Sequence, residues 1–156
     1  DEYFAPLDNI QNVTDAIVMM NRSSWLMMQN RYQEALDILT MLAQEHREQT
    51  KRLWWQLIPC GVLCELALDK PGYFLKQYDT LYMQKDLRKH KKQPFVWRTA
   101  YAVHLLRDGD EQKAEQCRQQ FLRLTRHTSM PRSYQWTLER MAQEKKIYES
   151  RKAKEA

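Results

Sequence analysis

Asn30-Arg31-Tyr32-Gln33-Glu34-Ala35, Asp69-Lys70-Pro71-Gly72-Tyr73-Phe74 and Gly109-Asp110-Glu111-Gln112-Lys113-Ala114 are three polar breaks, each leading into a segment of helical periodicity. Taking the last residue of each as reference, the offsets are 74 − 35 = 39 and 114 − 74 = 40 residues. A break that returns at a nearly constant interval marks repeated supersecondary units, each too small to bury its own apolar face and therefore stacked on its neighbours.

Working outward from the first break, Asp8 to Gln29 places Ile10, Val13, Ile17, Met20, Ser24 and Met27 three and four residues apart, the spacing of one helical face. Asp8 is its expected N-cap. Tyr32 to Ala43 follows with Ala35, Leu36, Leu39 and Leu42 in the same period. A break of so few residues makes the two helices antiparallel. Around the second break, helices are expected over 50–68 and from Tyr73 to about Leu87, with Pro71 and Gly72 punctuating the turn. Pro59 should kink the first of these or set a boundary near Ile58, and Gly61 weakens it further. The third break separates helices over 94–107 and 110–126, with Pro94 at a first helical position and Gly109 at a C-terminal cap. A last helix begins near Pro131, carries Tyr134, Leu138, Met141 and Ile147 on one side, and should fray over its charged end.

On these residues the chain resembles the tetratricopeptide repeats. In that family a short polar turn is followed by an aromatic or apolar residue, an acidic residue and an alanine opening the second helix. Tyr32 and Ala35 stand at those places in the first unit, with Asn30 where glycine is favoured and Ser23 as the small residue at the helix crossing. Gly109, Asp110, Ala114 and Ala102 do the same in the third. Small side chains there permit helix axes to approach within about 8–10 Å. The second unit departs from the pattern through Phe74, and the interval exceeds the family's 34 residues. The resemblance implies an all-α fold: a right-handed stack of about three antiparallel helical hairpins (about 8–47, 50–87 and 94–126) plus a C-terminal capping helix (about 131–152), together one domain over 1–156.

Composition fits this. Glycine and proline are scarce, 3 and 5 of 156 residues, as suits long helices rather than many tight turns. No run approaches the roughly 18–20 apolar residues that span a bilayer, and a cytoplasmic location is expected, although residues upstream of Asp1 could include a membrane anchor. Cys60, Cys64 and Cys117 are odd in number and lie in apolar helical contexts, which argues against a disulfide framework.

The resemblance also implies a partner-binding face along the first helices of the hairpins. It carries Ile17, Met20, Ser24 and Met27 from the first hairpin and Val96, Thr99, Val103 and Leu106 from the third. Members that clamp a chaperone's C-terminal carboxylates use lysine and asparagine where Met20 and Ser24 stand, so the expected ligand is an apolar peptide or helix of a partner protein. The chain's own last helix, through Tyr134, Trp136, Leu138 and Met141, is the competing occupant of that groove. Trp54 and Trp55 point about 100° apart on a helix, so one of them is a candidate exposed anchor.

Lys85, Arg88, Lys89, Lys91 and Lys92, with His90 among them, form the densest charge cluster of a chain whose net charge is +5. A solvated loop at a helix C-terminus accounts for them. Nucleic acid or an anionic membrane surface is the alternative ligand, though no nucleic-acid motif accompanies the cluster. His46, His90, His104 and His127 lack metal-ligand spacing, and Cys60 and Cys64, one turn apart, read as packing. No phosphate loop, nucleophile elbow or carboxylate pair is present. The expectation is a non-enzymatic module with no cofactor and no metal, whose partner is a protein, a peptide or a second copy of itself.

Overall fold

The structure, a computed structural model, describes residues 10–82, 94–126 and 132–155. Among these the chain is all-helical, without a strand. It divides into two compact units, residues 1–78 and 79–156.

In the first unit α1 spans Val13–Met28, and α2, Tyr32–Glu45, packs against it. The N-cap of α1 is Asn12 and not Asp8, which lies outside the described residues. Asn12 is extended and its side-chain oxygen accepts from the Asp15 amide at 2.9 Å, relieving one of the unpaired donors of the first turn. The helix stops where Asn30 takes a left-handed φ of 59°, a conformation asparagine tolerates better than most residues. The Arg31 amide then donates back to the Leu26 carbonyl at 2.9 Å.

After α2 come a single turn, α3 (Arg47–Thr50), a 3₁₀ turn (Lys51–Leu53) and α4 (Trp54–Leu68). Buried Thr50 anchors this corner by donating its hydroxyl to the His46 carbonyl at 2.9 Å. The boundary expected near Ile58 is absent, and α4 runs unbroken through Pro59 and Gly61. Proline there removes one amide donor. Every side chain from Leu57 to Leu66 is nevertheless buried, and α4 packs against α2. Tertiary burial thus outweighs the local penalty.

Gly61 has a positive role. A Cβ at this position would come closer than 3.0 Å to the ring of Phe74, the first-turn residue of α5 (Tyr73–Tyr82). Between α4 and α5 the bulk is therefore divided unevenly: glycine on α4 receives a phenylalanine from α5. The turn between them is organised by the buried carboxylate of Glu65. It accepts the amides of Gly72, Phe74 and Leu75 at 2.9–3.0 Å and so caps the start of α5 with a negative charge. The left-handed residue is Asp69, φ 55°, rather than Gly72.

The second unit contains α6 (Pro94–Ala102), a π-helical turn (Val103–Arg107), α7 (Glu111–Thr125) and α8 (Arg132–Glu155). Pro94 occupies the first helical position as expected. The helix expected over 94–107 changes pitch at Val103, and the Asp108 amide reaches the carbonyl five residues back at 3.1 Å. Gly109, φ 63°, ends it, and Asp110 caps α7 by accepting the Lys113 amide at 3.0 Å.

Helix α6 packs against both α7 and α8. Trp97, Tyr101, Phe121 and Met141 fill the space between them. Ring centroids lie 5.6 Å apart for Trp97 and Phe121 and 5.7 Å apart for Phe121 and Tyr134, within the range of favourable aromatic pairs. A buried ion pair crosses the same interface: the Arg98 guanidinium donates to Glu144 Oε1 at 2.6 and 3.1 Å, while Glu144 Oε2 has no partner. The final helix continues to Glu155, three residues beyond the end expected at about residue 152.

Candidate protein-interaction surfaces

Two surfaces stand out, one in each unit. The first is the outer side of α1. Among the described residues five large hydrophobic side chains are exposed, and Val13, Ile17, Trp25 and Met28 are four of them. With 100° per residue, these four fall within a sector of about 120°, and Thr14, Asn21 and Ser24 complete it. No charged residue lies in that sector. The opposite side carries Ala16, Met19, Met20, Ser23, Leu26 and Met27, all buried. Helix α1 is thus apolar on both sides. Burying one leaves the other in water, a pattern normally associated with a second contact. Depletion of charge with retention of tryptophan and methionine is the composition of an interface centre.

Part of the expected partner face coincides with this surface and part does not. Ile17 is exposed at 42% and Ser24 is half-buried. Met20 and Met27, at 2% and 5%, belong to the core and are unavailable to a ligand. Val96, Thr99 and Val103 are likewise buried, which leaves only half-buried Leu106 of the third-hairpin portion of that face. The reason lies in the direction of the apolar stripe: period alone does not say which of two apolar sides of a helix meets its neighbour. Trp55 is exposed, and Trp54 is half-buried with Arg47 5.7 Å from its ring. Val13, Trp25 and Met28 were not anticipated; the Arg31 guanidinium lies 5.8 Å from the centre of the Trp25 ring, and the uncharged residues of α1 in this sector were the available signal.

The second surface is a cleft of about 480 Å³ whose walls come from α7 and α8. Its floor is apolar: Tyr101 and Leu105 from below, Ala114 from α7, and Leu138, Met141 and Ala142 from α8. Glu111, Glu115, Arg118 and Lys145 line it as well. Glu115 accepts from Arg118 at 2.7 and 3.0 Å and from Gln119 at 2.9 Å. These hydrogen bonds, Arg118 foremost, hold its carboxyl down at about 2. Burial, aided by Glu115 and Glu144, pushes the Tyr101 phenol up to about 12, so at neutral pH the floor is neutral and the rim is charged. Leu138 and Met141, expected on the inner side of the last helix, pack on the Trp97–Tyr101 core and also line this cleft.

The remaining candidates give less. Lys85, Arg88, Lys89, Lys91 and Lys92 lie outside the described residues. Cys60, Cys64 and Cys117 are buried thiols, and burial pushes Cys117 up to about 12, the opposite of an activated nucleophile. His104 sits on the π-helical turn, its Nδ1 3.8 Å from Asp108 Oδ2 and without a hydrogen bond. Burial lowers its pKa against the pull of Asp108. Among the described residues no group of three or more His, Cys, Asp or Glu side chains could hold a metal, and no helix is long and apolar enough to cross a membrane.

Among the described residues the chain is all-helical, with an exposed apolar face on α1 and a partly apolar cleft between α7 and α8. No protein-family model, curated protein or solved structure matches it.

Proposed function

We propose that this chain is a non-enzymatic protein-interaction module that docks onto an apolar surface of another polypeptide through the outer face of α1. The charge-free exposed sector around Ile17 and Met28 carries the reading. A helix presenting such a ridge is recognised by an apolar groove, in which side chains at i, i+4 and their neighbours act as anchors. The finer architecture we propose is a right-handed tetratricopeptide-like stack. The small residues at its expected crossings, Ser23, Ala35, Ala102 and Ala114, are all buried, as close helix approach requires. Three buried thiols suit a reducing, cytoplasmic setting.

A photo-crosslinking side chain placed at position 17 or 28 tests the reading against a control at Asp37, an exposed polar position on α2. Adducts with polypeptide are expected at 17 and 28 and not at 37, and they should disappear in the Met28→Glu background when the label is at 17. Absence of any polypeptide adduct from both α1 positions would overturn the proposal.

A further inference from the structure

Resting on that reading, we infer that the polypeptide received by the α1 face is a second copy of this chain, and that it is seated in the α7–α8 cleft. Three observations converge. The cleft between two helices sets Tyr101, Leu105, Ala114, Leu138, Met141 and Ala142 beside four charged side chains, and can receive a helical ridge whose exposed large side chains are Val13, Ile17, Trp25 and Met28. The ridge lies in the first unit and the trough in the second, so each copy carries one of each and every contact uses one ridge and one trough. A heterologous contact of this kind extends rather than closes unless the rotation between copies completes a ring.

The third observation is the placement of charge. Asp15 and Arg22 flank the α1 face on one side, seven residues apart, which is about 10.5 Å along the helix. Glu111 and Arg118 line the cleft on α7, also seven residues apart and of matching order from N- to C-terminus. Laid antiparallel along α7, α1 of the incoming copy sets Asp15 beside Arg118 and Arg22 beside Glu111 at the same spacing. The parallel arrangement opposes like charges at both places. Charge thus selects one direction of insertion, while the apolar ridge supplies the affinity.

Sedimentation velocity on the full chain over a hundredfold range of concentration tests this, using Ile17→Glu to break the ridge and Ala142→Glu to break the trough. Both positions are exposed, and circular dichroism checks that each variant is folded. The wild type should sediment faster as concentration rises, with species beyond the dimer. Each variant alone should stay monomeric, with association weakened at least tenfold. A one-to-one mixture of the two should form dimers and nothing larger, because only one intact ridge and one intact trough remain. Asp15→Arg should weaken assembly, and adding Arg118→Asp in the same chain should restore it. A wild type that remains monomeric at the highest concentration, or a mixture that remains monomeric, overturns the inference. Crosslinks from position 17 to a different polypeptide, undisturbed by Ala142→Glu, would sink it while leaving the interaction module standing.

Discussion

Replacing Gly61 by alanine should destabilise the first unit, and the sign of the effect should depend on Phe74. On an isolated helix the substitution is favourable by about 1 kcal/mol, because alanine surrenders less backbone entropy than glycine. Here the new methyl would sit closer than 3.0 Å to three atoms of the Phe74 ring, and that ring is fully buried. Either the ring leaves its position or α4 and α5 separate. Overpacking of this kind costs about 1–3 kcal/mol, and three ring atoms inside 3.0 Å place this site in the upper part of that range, so after the gain of about 1 kcal/mol the net loss should be about 1–2 kcal/mol. Phe74→Ala alone should cost about 3–5 kcal/mol through the cavity it leaves. In that background the clash is gone, and Gly61→Ala should turn stabilising by about 0.5–1 kcal/mol. Urea unfolding of the four proteins, followed by circular dichroism, reads the cycle, with a constant m-value as the check that each comparison is of stability alone. If Gly61→Ala is as stable as the wild type, or if its effect has the same sign in both backgrounds, the ring does not occupy the space beside Gly61 and the reasoning fails.

Removing one member of the Arg98–Glu144 pair, as in Glu144→Ala, should cost about 3–5 kcal/mol, since it strands a buried guanidinium. The double substitution Arg98→Met with Glu144→Leu should fall within about 1 kcal/mol of the wild type in the same urea assay. Cys117, with its thiol pushed up to about 12, should resist a mild alkylating reagent at pH 8 in the folded protein and react on unfolding, which mass spectrometry of the labelled chain would read. Burial holds His104 below its ordinary value of 6.5. The unfolded chain therefore binds more protons between the two values, and stability present above pH 6.5 should decline as pH falls through the folded value. His104→Gln should flatten that decline in a pH series of thermal melts, the slope being modest because the imidazole is one-third exposed.

The helices and their breaks were legible because they depend on local chemistry. Asn30, Asp69 and Gly109 end helices with left-handed backbones, and the apolar period between them calls for helix whatever lies beyond. The start of α1 was less legible, since both Asp8 and Asn12 are capable caps and only the backbone of the first turn chooses. Pro59 was read by its local cost, and burial of the whole of α4 from Leu57 to Leu66 overrode it. The burial of the expected partner-face residues was legible only in part. Ile17 is exposed and Ser24 half-buried, whereas Met20 and Met27 turned inward, because a helix with large apolar residues on two opposite sides carries no instruction about which of them to bury.

The sequence by itself determined that the described residues are helical and where the polar breaks between helices fall, since propensity, capping and period act over a few residues. Tertiary structure alone decided that Gly61 receives Phe74, that Glu65 caps α5, that Arg98 meets Glu144, and that α7 and α8 stand apart over Tyr101 to leave a cleft. Each of those outcomes joins residues that no local rule relates, through packing, and the shape of a neighbouring side chain cannot be read from one's own position in the chain.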